Sequence, residues 1–347
     1  MRAAVVQEWG KPLVINDVIQ PKPGPGQVLV RIHVTGICQT DFQQLHGDQP
    51  GMLAAMKENG VTILGHEGIG TVAELGPYVT LLKKGDKVGI SFLNFNCGRC
   101  EPCLTGYPQS CQNSRLTTVH VNGTYAEYAI VSERAALSVP PEIPEDEAAP
   151  LLCAGVTAYG ALRKLVSELR LPPGKTVAIV GGGGGLGHYG IQLAKSFGYK
   201  VIGVDIGEDK LQFMSDLGAD RVVDAHESDS APKPAGDANA VIVFTPRISG
   251  YALASKLVGN MGAIVAVGCP PISEGAINIP PADLVNKGIR IIPSLVGSPQ
   301  EFADLCGLYV EGKVKSHLSR KIDLSEINTL FEELGSSKYK GRAVATI

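Results

Sequence analysis

The chain has 347 residues, of which 44% are hydrophobic and 19% charged, with a net charge of −3. That length exceeds one ordinary hydrophobic core and points to two domains, while the interspersed charge excludes a nucleic-acid-binding stripe and an acidic disordered tail. Eight cysteines in a long chain without the apolar core of a signal peptide read as reduced thiols or metal ligands in a cytoplasmic protein.

The opening MRAAVVQEWGKPLVI alternates like a strand. Short β-like runs follow at 28–34, 68–75, 86–90 and 125–131, punctuated by Gly and Pro, and suggest an antiparallel, loop-rich first domain. Among them lie GICQTDFQQLHGD (36–48), with Cys38, and GHEGIGTVAELGPYV (65–79), with His66 and Glu67. On residue type alone, a lone cysteine reads as core packing, nucleophile or ligand, and a lone histidine is usually a satisfied polar group.

CGRCEPCLTGYPQSC places Cys97, Cys100, Cys103 and Cys111 within 15 residues. Two-residue gaps let a turn aim successive sulfurs at one point, and Gly98 and Gly106 ease the reversal. Four thiolates make a closed tetrahedral Zn2+ site, hence a structural one. Two local disulfides or an iron–sulfur cluster use similar spacing; a reducing compartment favours zinc.

The Pro- and acid-rich VPPEIPEDEAAP (139–150) approaches a domain boundary. Beyond it, strand candidates at 176–180, 200–205, 221–223, 240–244 and 263–267 alternate with helical patterns at 187–197, 208–217 and 249–259. That alternation predicts βαβ crossovers and a doubly wound parallel sheet. The uncharged stretch 176–194 has a membrane span's length, but its seven glycines, His188 and Gln192 argue against burial in lipid. It reads instead as a nucleotide loop. Gly182, Gly184 and Gly187 satisfy G-x-G-x-x-G, with Gly185 and Leu186 in the same turn, between a strand and a helix. Asp205 follows Gly187 by 18 residues at a second strand's end. A carboxylate there accepts from ribose hydroxyls and repels a 2′-phosphate, which selects NAD over NADP. Lys210 borders the adenosine or is a solvated helix residue. The closing GRAVATI is strand-like and could return to the first domain.

With these residues assembled, the chain resembles the zinc-dependent medium-chain alcohol dehydrogenases over essentially its whole length, and among them the shorter, yeast-type branch. The resemblance rests on G-H-E-x2-G-x5-G-x2-V from Gly65 to Val79, the four clustered cysteines, LCAGVTAYGAL around Cys153, and HGD at 46–48. It implies an α/β protein with a GroES-like, mainly β catalytic domain (1–150 and 293–347) and a Rossmann NAD-binding domain (151–292), assembled as a homotetramer more often than a dimer. It also implies that Cys38, His66 and Cys153 hold a catalytic zinc with an open fourth position, so that each chain carries two Zn2+. Glu67 then sits behind the metal as a reserve ligand, and Asp41 orients His66 through its second ring nitrogen. Thr40 bonds the substrate oxygen and passes its proton on, and Arg342 reaches the coenzyme pyrophosphate. The expected activity is reversible hydride transfer between a primary or secondary alcohol and NAD+, on a small-molecule substrate, without nucleic acid or membrane.

The departures are as informative as the matches. Gln39 stands where a histidine commonly follows the cysteine ligand, and can donate to phosphate without carrying charge. Gln43 replaces the histidine that ends the proton relay; an amide cannot act as a base near neutral pH, so protons leave more slowly or by another route, through water or His46. Gln49 takes the place of the tryptophan in HGDWP, and Phe92 falls near another tryptophan position. The stretch QPGMLAAMKENGVTIL (49–64) is about five residues longer than that pattern and reads as a longer loop. Together these predict a roomier pocket suited to a larger or secondary alcohol. A biosynthetic carbonyl reductase on the same scaffold is the second reading, and a non-catalytic nucleotide sensor that kept the fold is the third.

Overall fold

The run QVLVRIHVTGI at Gln27–Ile37 buries Val28, Val30 and Ile32 against Val72, Val88, Ile90, Ala129 and Val131. This strand organises the first part of a computed structural model that describes residues 1–226, 238–335 and 340–347. It lies in a seven-stranded sheet ordered Leu318–Asp323, Arg342–Thr346, Gln27–Ile37, Gly68–Leu75, Lys87–Ile90, Leu137–Ser138, with Tyr128–Ser132 also paired to Gln27–Ile37. All these pairings are antiparallel except that of the two C-terminal strands. The closing strand, expected from GRAVATI, runs beside Gln27–Ile37 with Ala343 opposite Ile37 and Val344 opposite Gly36. That register brings Arg342 level with Cys38. A second core gathers Ile37, Leu45, Met56, Leu64, Tyr125, Phe331 and Ala343.

The second part is a six-stranded parallel sheet ordered Arg221–Asp224, Lys200–Asp205, Thr176–Val180, Ala238–Val243, Val258–Ala266, Arg290–Pro293. Its strands read as unbroken apolar runs such as TVAIV because both faces are covered. Helices Gly187–Ser196, Glu208–Asp216 and Ile248–Leu257 make crossovers. Chain order reverses between Thr176–Val180 and Ala238–Val243, and the crevice beyond the strand ends at such a reversal is where ligands bind in sheets of this kind.

The compact units comprise Met1–Val156, Val296–Val310 and Ser316–Ile347 on one side, and Thr157–Leu295 with Glu311–Lys315 on the other. Cys153 therefore lies in the first unit, three residues past the boundary expected at 150. The stretch after Gln49 is not an open loop: Pro50–Glu58 is a helix with Pro at its first turn, and Met56 is fully buried. Among the described residues no helix is long and apolar enough to cross a membrane.

Candidate metal centres and nucleotide loop

Three turns deliver the first cluster. Cys38 ends the Gln27–Ile37 strand in extended conformation and opens the helix Gln39–His46. His66 and Glu67 immediately precede the strand Gly68–Leu75, and Cys153 follows the 3-10 turn Ala149–Leu152. One ligand atom from each of Cys38, His66, Glu67 and Cys153 lies within 4.8 Å of all the others.

Hydrogen bonds orient this cluster. His66 donates from Nδ1 to Asp41 Oδ1 at 3.0 Å, so its Nε2, 3.3 Å from Cys153 Sγ, faces the sulfurs. Asp41 is fully buried and accepts twice more, from the Gly65 amide into Oδ1 and from the Tyr125 hydroxyl into Oδ2, both at 2.9 Å. Glu67 turns both carboxylate oxygens onto the Arg342 guanidinium. That pair is almost wholly buried, and it fits only because residue 36 is glycine: a Cβ there would lie 1.9 Å from Glu67 Oε2.

The electrostatics favour a cation. The hydrogen bond from Cys153, with His66 and Arg342 nearby, holds Cys38 far below the ordinary thiol range, whereas the same bond and burial push Cys153 up. Burial opposes charge on His66, yet Asp41 and Cys38 outweigh it and raise its proton affinity well above the ordinary value. Burial lifts Glu67 to about 8 against the pull of Arg342. Two sulfurs and one imidazole nitrogen, the ring backed by a carboxylate, make a donor set suited to Zn2+. The donor set fits that ion.

The second cluster matches its spacing. The sulfurs of Cys97, Cys100, Cys103 and Cys111 lie within 4.8 Å of one another, with Gly98 and Gly106 at φ 66° and 90° where the chain reverses. Backbone amides donate to the sulfurs, Cys97 to Cys111 and Cys100 to Cys97, each at 3.4 Å. Those of Arg99 and Cys100 lower Cys97 to about 6, and burial raises Cys103 to about 12. All eight cysteines are free thiols, which removes the disulfide alternative for this loop.

The other expected residues distribute as follows. Gln39, Thr40 and Gln43 are half-buried on the helix that Cys38 opens. His46 is exposed and donates Nδ1 to the Phe42 carbonyl. Phe92 packs edge-on to the His66 ring, centroids 5.4 Å apart. Gln49 stands at the N-terminal boundary of the helix Pro50–Glu58.

In the parallel sheet, Gly181 turns at φ 83° directly after Thr176–Val180. A Cβ on Gly187 would lie 2.0 Å from the Gly181 carbonyl oxygen, so this glycine is what lets helix and turn close. A Cβ on Gly184 would make only ordinary contact, which leaves that backbone face open to a phosphate. Leu186 caps the helix Gly187–Ser196, with Gly185 just before it. Asp205 accepts from the Gly183 and Ile206 amides and pairs with Lys210 at 3.2 Å. Tyr125 and Gly36 are the site residues that sequence reasoning missed; neither sits in a motif.

Comparison with known proteins agrees with this geometry. Residues 24–141 match the alcohol dehydrogenase GroES-like domain, and residues 185–311 match the zinc-binding dehydrogenase domain. An alcohol dehydrogenase of Rhizobium meliloti is 40% identical over 99% of this chain and 98% of its own. An NAD-dependent alcohol dehydrogenase of Sulfolobus acidocaldarius is 33% identical over the full length of both. The crystal structure of the alcohol dehydrogenase from Aeropyrum pernix superimposes with a TM-score of 0.87 at 32% identity, covering both chains completely. Two thiolate-rich clusters, a dinucleotide loop and full-length kinship lead to one conclusion: the chain belongs to the zinc-dependent alcohol dehydrogenase family.

Proposed function

We propose that the chain is an NAD-dependent dehydrogenase that interconverts a secondary or bulky primary alcohol with its ketone or aldehyde. The convergence of Cys38, His66 and Cys153 within 4.8 Å, with Glu67 turned toward Arg342, carries this reading. These three residues would hold the catalytic metal, and the four clustered cysteines a structural one. Zn2+ supplies Lewis acidity toward a substrate oxygen, and the nicotinamide takes up or returns the hydride.

The chain's own residues do the rest. Asp41 keeps His66 Nδ1 protonated and Nε2 directed at the sulfurs. Thr40, two residues past Cys38, relays the alcohol's proton: its oxygen accepts that proton while its own hydroxyl proton passes outward. Gln43 cannot act as a base, so the proton leaves to water or to His46, whose Nε2 stays an acceptor while Nδ1 donates to Phe42. Asp205 exchanges its bonds to Gly183 and Ile206 for ribose hydroxyls, Lys210 flanks it, and the turn Gly182–Gly187 receives the pyrophosphate. Gln39 can donate to a phosphate through its amide without carrying charge. Phe92 walls the pocket beside His66, and Gln49 gives it less aromatic bulk than a tryptophan.

We further infer a homo-oligomer. Arg290–Pro293 is an edge strand with Ile291 exposed and Leu295 exposed just beyond it, which supports edge-to-edge pairing of two copies, two such dimers forming a tetramer. Thiolate ligands need a reducing setting, consistent with the cytoplasm.

An absorbance screen of NADH formation over primary, branched and aromatic alcohols, with zinc counted per chain, tests the proposal. It expects two zincs and faster turnover of secondary or benzylic alcohols than of ethanol. Clear preference for ethanol removes the substrate claim, and absence of any NAD+-linked oxidation or carbonyl reduction removes the functional one.

A further inference from the structure

Asp41 has both carboxylate oxygens engaged, and the two sides differ. Oδ1 serves the peptide amide of Gly65 and the ring of His66, whereas Oδ2 receives the hydroxyl of Tyr125. The Tyr125 hydroxyl is the donor that anchors Oδ2, and it adds a third restraint to a terminal torsion that is intrinsically soft.

Tyr125 is built to stay where it is. It is fully buried, its amide donates to the Leu64 carbonyl at 3.0 Å, and its carbonyl accepts from the Ala4 amide at 2.8 Å. The ring meets Phe331 edge-on with centroids 6.2 Å apart. On its other side Gly65 leaves it room: a Cβ at that position would lie 2.5 Å from Tyr125 Cδ1. The same short segment therefore grips the backbone just before His66 and, through the hydroxyl, the carboxylate that orients the His66 ring.

We propose that Tyr125 is a positioning residue for the catalytic metal centre: its hydroxyl locks the Asp41 carboxylate, and Asp41 in turn holds His66 with Nε2 facing Cys38 and Cys153. The inference rests on reading those three side chains as zinc ligands. Outer partners of a metal-bound histidine commonly govern metal affinity by 10–100-fold, and a residue one bond further out should act near the lower end, about ten-fold.

The test uses Tyr125→Phe, which keeps the ring and its packing and removes one oxygen. Competition with a chelator measures zinc affinity at the catalytic centre, with the four-cysteine zinc as internal reference. The visible spectrum of protein carrying Co2+ at the catalytic centre reports its coordination geometry. Phe331→Leu is the control, because it loosens the packing of the same ring while leaving the hydroxyl. The expected result is about ten-fold weaker zinc and an altered cobalt spectrum in Tyr125→Phe, with the four-cysteine zinc unchanged and Phe331→Leu like wild type. Wild-type affinity and spectrum in Tyr125→Phe overturn the inference, as does an equal effect from Phe331→Leu. A wild-type chain holding zinc only at the four cysteines overturns the functional reading as well, so the two failures are distinguishable.

Discussion

Replacing Gly36 by alanine should damage the catalytic centre more than any other single-methyl insertion in the central strand. The new Cβ would lie 1.9 Å from Glu67 Oε2 and 2.9 Å from Glu67 Cβ, whereas ordinary contact begins at 3.4 Å. The strand cannot yield easily: the Gly36 amide donates to the Glu67 carbonyl at 3.0 Å, and its other edge is paired in register with Val344. The carboxylate must therefore move by some 1.5 Å, the difference between 3.4 and 1.9 Å, and leave the Arg342 guanidinium. Both partners are almost fully buried, so water cannot replace the lost contact. Overpacking costs about 1–3 kcal/mol and disrupting a buried pair about 3–5 kcal/mol, so a loss of about 4 kcal/mol or more is expected against a typical stability of about 5–15 kcal/mol. Denaturant unfolding and zinc content measured together should show a lower midpoint and loss of one zinc per chain. Gly36→Ala combined with Glu67→Asp, which withdraws the carboxylate but keeps the Cβ, should recover part of the loss. An unchanged midpoint with two zincs retained in Gly36→Ala would refute the reasoning.

Gln43→His should raise alcohol oxidation at neutral pH about ten-fold, below the 10²–10⁴ of a base acting directly because Thr40 stands between, and add an ionisation near the histidine value of about 6.5; pH–rate profiles that match wild type would count against an altered relay. Asp205→Ser should lift the kcat/KM ratio of NADP+ to NAD+ at least about ten-fold, since it removes the charge that repels a 2′-phosphate; coenzyme kinetics check this, and an unchanged ratio would mean that Asp205 does not select the coenzyme. Asp220 is held below the ordinary carboxylate range because Lys195 and the Val201 amide outweigh its partial burial. Its stabilisation is therefore present above the unfolded carboxylate value and lost as pH falls through the lowered folded one. Half-exposed as the pair is, Asp220→Asn should cost about 1 kcal/mol or less at neutral pH, and the difference from wild type should vanish in acid.

What could be read from the sequence was whatever chemistry is packed into a short span. The cysteine loop declares itself through two-residue gaps, and the glycine turn through its place between an apolar strand and a helix ending before a second strand. Both descriptions need only local geometry. The strand at the C-terminus was legible from the alternation in GRAVATI, but its register was not. Register is what sets Arg342 beside Glu67, 275 positions away, and makes Gly36 obligatory. Tyr125 was read as the start of a strand, yet the strand begins at Tyr128, and Tyr125 instead pairs its backbone with Leu64 and its hydroxyl with Asp41. No spacing rule announces such a contact between residues 84 apart. The extra length at 49–64 reads as a longer loop, yet Pro at a helix's first turn starts a helix there, and the buried Met56 holds it.

The central claim is that Cys38, His66 and Cys153 hold the metal on which oxidation depends. Zinc per chain, NADH binding and alcohol oxidation measured together on Cys153→Ala test it most directly. The account predicts one zinc left, at the four-cysteine loop, with NADH binding kept and oxidation abolished. Two zincs retained, or oxidation near the wild-type rate, would contradict it.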